Sequence, residues 1–162
     1  MIEKQIFAKI AFCVVEELSD EEKKLIQIAK DASKDAYAPY SKFKVGAAVL
    51  LDNGEILTGN NQENAAYPSG LCAERVALFY ANAHYPEATV LKLAVAAQNI
   101  KGFVPEPIFP CGSCRQNLLE AENRYSKEIR MLFFGTQETA IVNSAKDLLP
   151  FSFGISSLGP AE

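Results

Sequence analysis

Val45-Gly-Ala-Ala-Val-Leu-Leu51, then Asp52-Asn-Gly54, then Glu55-Ile-Leu-Thr-Gly59 is the stretch that decides the fold. An unbroken apolar run of strand length meets a turn tripeptide and a shorter run returns, which reads as a β-hairpin. Downstream, Asn60 to Gly70 is polar and Asn-rich and reads as a loop, where binding residues tend to sit on a rigid scaffold. Cys72 to Asn82 is made of strong helix formers with no breaker, so Cys72 is expected in the first turn of a helix. Leu91 to Ala97 reads as a buried strand, and Lys101 to Pro110, with its three prolines, as an irregular connection. Cys111 to about Asn123 reads as a second helix that again opens at cysteines. Ile129 to Phe134 and Thr139 to Val142 are further strands, and Ala145 to Leu149 is a short helix stopped by Pro150. This alternation predicts a three-layer α/β/α sandwich around one mixed sheet of about five strands.

Upstream of the hairpin, Ser19-Asp-Glu-Glu22 is a capping-box pattern, with Ser19 as N-cap and Glu22 reaching back to its amide. Leu25, Ile28, Ala29, Ala32 and Ala36 share one face of the helix that follows, and Pro39 ends it. Residues 1–18 include the apolar run Ile6 to Val15. Lys9 interrupts it, Glu16 and Glu17 follow it and no small-residue cleavage site is present, so it does not read as a signal peptide. It is too short to span a bilayer. Ile6, Ala8, Ile10, Phe12 and Val14 alternate like a half-buried strand, although Ile2, Ile6, Ile10 and Val14 at intervals of four also suit a helix.

At 162 residues and 49% hydrophobic content the chain has enough apolar material for one substantial core, and residues 1–162 are expected to form a single domain. A net charge of −4 advertises no nucleic-acid phosphate binder, so a small, weakly charged substrate fits better. Four cysteines without an export signal point to a reducing cytoplasm, where thiols stay available to a metal.

The chemistry concentrates in Cys72-Ala-Glu74 and Pro110-Cys111-Gly-Ser-Cys114. Cys111 and Cys114 have the spacing that lets one turn present two sulfurs to a single ion, and Cys72 completes a three-ligand Zn2+ set with a fourth position open to water. The combination of C-x-E with P-C-x-x-C is a described signature of zinc deaminases that act on nucleobases. Three thiolates leave the site one negative charge in excess. Two helix N-termini, with Arg75 and Arg115 beside the ligand segments, can offset that charge and let the ion hold hydroxide near neutral pH. Glu74 lies too close to Cys72 to be a comfortable co-ligand, yet near enough to shuttle a proton from water to a ring nitrogen.

These residues resemble the zinc-dependent cytidine deaminase family, specifically its small, three-cysteine, homotetrameric branch. The resemblance runs through Tyr40-Ser-Lys-Phe-Lys-Val-Gly-Ala-Ala48, Asn61-Gln-Glu-Asn-Ala-Ala-Tyr67, Cys72-Ala-Glu-Arg75, Pro110-Cys-Gly-Ser-Cys-Arg-Gln116 and Asp147-Leu-Leu-Pro150 with Phe153, covering about Ser19 to Gly154. It implies hydrolytic deamination of free cytidine and deoxycytidine to uridine and deoxyuridine, in pyrimidine salvage. Cys72, Cys111 and Cys114 would be the zinc ligands, Glu74 the proton shuttle and Arg75 the moderator of thiolate charge. Asn61 and Glu63 would bind the ribose hydroxyls, Phe43 would pack near the pyrimidine, and the Ala73 N–H would meet the ring carbonyl. Tyr67 and Phe153 would lie near active sites at subunit contacts of a homotetramer. The chain departs from the family pattern at Phe109, where Ser or Thr usually precedes Pro-Cys, and in the additional residues 1–18.

Other readings compete at several positions. Cys111 and Cys114 alone would suit a redox pair or a structural site, and Cys13 could close a four-cysteine structural centre. Cys13 sits in an apolar run, where a buried free cysteine is commoner than a ligand. Asn61 and Glu63 could be turn residues, Glu74 a favourable first-turn carboxylate, and Phe151 and Phe153 core residues. His84 reads as a surface residue near its helix end. Within the enzymes, a deaminase of modified cytosine nucleosides, of the blasticidin-S type, lacks the Asn-x-Glu-Asn segment present at Asn61 to Asn64. Polynucleotide deaminases commonly use His as first ligand and need positive charge for a strand.

Overall fold

The computed structural model describes residues 1–159. Seven strands form one sheet: β1 (Ala11–Cys13), β2 (Lys44–Leu51), β3 (Ile56–Asn60), β4 (Val90–Asn99), β5 (Gly102–Phe103), β6 (Arg130–Phe134) and β7 (Thr139–Val142). Their order is β1-β7-β6-β4-β2-β3, with β5 paired to β4. Among the described strands only the β4–β6 pair is parallel, and the helical crossover between them carries two of the cysteines. The five longer strands are the expected sheet. β1 and β5, three and two residues long, take the count past five.

Four helices cover the two faces: α1 (Asp20–Lys34), α2 (Ala73–His84), α3 (Gly112–Tyr125) and α4 (Ala145–Leu148). The period of two along β2 sorts its side chains between them. Ala47, Val49 and Leu51 join Ala77, Leu78, Leu118, Leu119, Val95 and Phe133 under α2 and α3. Ala48 and Leu50 join Leu25, Ile26, Ala29, Ala94, Leu132 and Phe134 under α1. The three-layer α/β/α expectation therefore holds, and both faces of the central strands are dry.

α1 begins where the capping box places it. The Glu22 N–H donates to Ser19 Oγ at 3.3 Å, and Ser19 N donates to Glu22 Oε2 at 3.0 Å. The helix stops at Lys34, before Pro39, so Ala36 is buried just beyond its end. α2 is seated by Gly59 on β3. A Cβ there would lie 2.6 Å from the Ala73 carbonyl oxygen and would run into the Ala77 nitrogen. Close approach of β3 to the first turns of α2 thus requires glycine.

The N-terminal strand is shorter than its alternation predicts. β7 has four residues, and the ladder pairs Ala11, Phe12 and Cys13 with Ile141, Ala140 and Thr139. Ile10 falls opposite Val142, the last residue of β7, and Ile6 to Lys9 run past the end of that partner; residues 1–10 are exposed. Among the described residues no helix is long and apolar enough to cross a membrane.

Candidate metal centre

Cys72 and Cys111 are the N-cap residues of α2 and α3, and neither side chain caps its own helix. Their sulfurs stay free to face each other. Cys72 Sγ lies 3.7 Å from Cys111 Sγ, and Cys111 Sγ lies 3.6 Å from Cys114 Sγ. Two thiolates bound at about 2.3 Å to one tetrahedral ion sit about 3.8 Å apart, so the three sulfurs fit zinc without rearrangement. All three lie within 4.8 Å of one another. Cys13 is on β1 at the sheet's far edge and does not belong to this cluster, so the closed four-cysteine alternative has no geometric basis.

Positive charge converges on the sulfurs from three directions. The N-termini of α2 and α3 supply two of them. Arg75 supplies the third, its Nη2 donating to the Gly70 carbonyl at 3.5 Å and to Cys72 Sγ at 3.8 Å. Hydrogen bonding from the Cys114 thiol and from Arg75 holds the Cys72 thiol well below the ordinary thiol range, against the effect of burial. Arg115 turns elsewhere: its Nε donates to the Pro110 carbonyl at 2.8 Å and its Nη1 to the Leu148 carbonyl at 3.1 Å, bracing the entry to α3.

Glu74, in the first turn of α2, is only 6% exposed. Burial pushes its carboxyl above the usual carboxylate range; a backbone hydrogen bond opposes the rise and the Cys72 charge adds to it. The side chain lines an inner cavity of about 210 Å³ with Cys72, Cys111, Ala73, Asn61, Val45, Val95, Ile108 and Phe109. Cys72 also lines an outer cavity of about 550 Å³, together with Glu63, Tyr67, Arg75 and Ser41.

Asn61 and Glu63 are held rather than free. Asn61 Oδ1 accepts from the Val45 N–H at 2.7 Å and its Nδ2 donates to the Phe43 carbonyl at 3.0 Å. Glu63 accepts from the Tyr40 N–H at 2.9 Å, from the Ser41 N–H at 3.3 Å and from the Ser41 hydroxyl. The Ser41 hydrogen bond holds the Glu63 carboxyl below its usual range. Ala73 is fully buried at the inner cavity. Tyr67 stands 81% exposed at the lip of the outer one. Phe43 lines neither cavity, and Phe153 also lies outside both, 61% exposed, with its carbonyl accepting from Gln116 Nε2 at 2.8 Å.

Sequence reading did not find Ser41, Val95 or Ile108. A signal for Ser41 existed: a hydroxyl two residues before Phe43 accepts from the Phe43 N–H at 3.0 Å, a local turn device, and left-handed Lys42 (φ 57°) lies between them. Val95 and Ile108 carry no such signal, since an apolar residue at a cavity looks in sequence like one in the core.

An α/β/α sandwich that sets three sulfurs at two helix N-termini beside a buried carboxylate defines a zinc-dependent hydrolase. Residues 19–127 match the family described as "Cytidine and deoxycytidylate deaminase zinc-binding region". A cytidine deaminase of Mycobacterium tuberculosis is 38% identical over 133 residues, 80% of this chain and 87% of the relative. One from Halalkalibacterium halodurans is 45% identical over 98 residues, 59% of this chain and 68% of its own. The crystal structure of cytidine deaminase from Burkholderia pseudomallei superposes with a TM-score of 0.69 at 38% identity, covering 84% of this chain and 100% of that one. The chain belongs to the zinc-dependent cytidine deaminase family.

Proposed function

We propose that the protein hydrolyses free cytidine and deoxycytidine to uridine and deoxyuridine, releasing ammonia, with zinc held by Cys72, Cys111 and Cys114. The observation that carries this reading is the buried Glu74 carboxyl beside three sulfurs already at zinc-binding separations. Cys72, Cys111 and Cys114 would hold the ion, which would supply the acidification of a bound water. Glu74, its proton affinity raised by burial, takes a proton from the attacking water and passes it to ring N3. The hydroxyl oxygen adds to C4; Glu74 then carries the proton of that C4 hydroxyl to the 4-amino group, and as the C4 carbonyl forms the C4–N4 bond breaks and ammonia leaves.

Around that step, the Ala73 N–H at the positive end of α2 suits the ring carbonyl, and Asn61 and Glu63 suit the sugar diol. Both side chains are preorganised by backbone bonds, which lowers the cost of ordering them on binding. Phe43 would pack near the pyrimidine, and Tyr67 and Phe153 would lie near active sites at subunit contacts. A homotetramer is supported by the outer face of α2, where Val76, Phe79, Tyr80 and Ala83 recur at helical spacing and Phe79 and Tyr80 are 43% and 51% exposed. Tyr67 and Phe153, 81% and 61% exposed, fit a site closed by a neighbour. The test is an ultraviolet assay of zinc-loaded protein with cytidine, deoxycytidine and cytosine, alongside metal analysis. Turnover of the nucleosides is expected, and failure to turn over either one overturns the reading.

A further inference from the structure

We infer that Ile108 and Phe109 form an apolar wall facing the C5–C6 edge of the pyrimidine, and that this wall selects hydrogen or a small apolar group at C5 over a polar one. The inference rests on the nucleoside reading of the same site.

The inner cavity is chemically divided along the sheet. At its β3 end are Asn61, which follows β3, and Glu74 and Ala73 on α2, the helix seated against Gly59 of β3. Crossing through Val45 on β2 and Val95 on β4, the lining reaches Phe109 at the β6 side, with Ile108 its neighbour in the chain. There the Phe109 ring packs on Phe133 of β6 with centroids 5.3 Å apart, and Phe133 is fully buried. Phe109 is therefore held in place rather than free to swing aside.

A cytosine ring has matching asymmetry. N3 and C5 flank the reacting C4 on opposite sides, so a ring that presents N3 to Glu74 turns C5 away from α2 and toward Ile108 and Phe109. The C5–C6 edge carries only C–H bonds and is suited to such a wall. A methyl group at C5 extends the apolar contact. A hydroxymethyl group there loses water and meets no side-chain hydrogen-bonding partner from Val95, Ile108 or Phe109. The polar side chains of the lining serve other groups: Cys72 and Cys111 the metal, Glu74 the proton transfer, and Asn61, tied to the Val45 and Phe43 backbone at the β3 end, the sugar.

The experiment compares kcat/KM of the zinc-loaded enzyme for cytidine, 5-methylcytidine and 5-hydroxymethylcytidine. Calorimetric titration with 5-methyluridine and 5-hydroxymethyluridine reads the same wall without turnover. Wild-type protein is expected to favour methyl over hydroxymethyl by about tenfold or more in both measurements. Phe109→Ser should cut that ratio at least about threefold. Ile108→Thr, at a residue 39% exposed and away from the packed core, should do so as well and covers the case in which Phe109→Ser fails to fold. A methyl-to-hydroxymethyl ratio near one in wild type, or a ratio unmoved in every variant that folds, overturns the wall. Lack of cytidine turnover with the binding ratio intact overturns only the deaminase reading, and absence of any nucleoside binding overturns both.

Discussion

Glu74 shows how much of the site resides in one side chain and its setting. A carboxyl in a first helical turn would ordinarily be ionised and solvated, but this one is buried beside Cys72 and its proton affinity rises. Removing its charge while keeping its shape should stop proton transfer and leave the sulfurs alone. Glu74→Gln is expected to lose about 100- to 10,000-fold in cytidine turnover while retaining about one zinc per chain by metal analysis. Loss of zinc together with activity would mean that Glu74 serves the metal instead. The motif made Cys72, Cys111, Cys114 and Glu74 legible in sequence, because ligand spacing within a turn is a local property. Ile108 and Val95 were not legible, because their meeting with Glu74 depends on where separate elements come to rest.

At the level of elements, the packing of α2 on β3 sets the reach of both Cys72 and Glu74. Gly59→Ala forces its new Cβ against the Ala73 and Ala77 backbone, so α2 must shift. The expected result is a loss of roughly 1–3 kcal/mol in stability with reduced turnover, checked by thermal unfolding and the ultraviolet assay. The N-terminus of α1 has its own pH signature. Burial would raise Glu22, but the 2.6 Å hydrogen bond from Arg130 Nε and those from Ser19 outweigh it and bring its carboxyl to about 2. Because the folded value lies below the ordinary 4.5, this contribution is complete above that pH and fades as pH falls toward 2. Glu22→Gln should therefore cost on the order of 2 kcal/mol at neutral pH, allowing for partial exposure of Arg130, and the gap should close in acid. Chemical denaturation of both proteins at pH 7 and pH 3 checks the sign. The capping box that starts this helix was plain in Ser19-Asp-Glu-Glu22, but Arg130, 108 residues away, was not.

For the whole molecule, the homotetramer proposed above makes the exposed apolar face of α2 an interface and places Tyr67 and Phe153 where a neighbouring subunit would complete the site. On that proposal, Phe79→Asp is expected to lower the sedimentation coefficient relative to the unmodified protein and to lower turnover in parallel. Full activity in a dissociated monomer would separate catalysis from assembly. The sequence by itself determined the layer architecture, the helix starts and the three-cysteine cluster, and pointed to Glu74 beside it, since strand periodicity, capping and metal spacing are all short-range patterns. Only the tertiary structure decided that residues 1–9 outrun the four-residue β7, that Arg75 serves Cys72 while Arg115 braces backbone carbonyls, and that Ile108 and Phe109 line one cavity with Glu74. Those outcomes depend on the lengths and positions of elements distant in the chain, and no local pattern encodes a meeting between them.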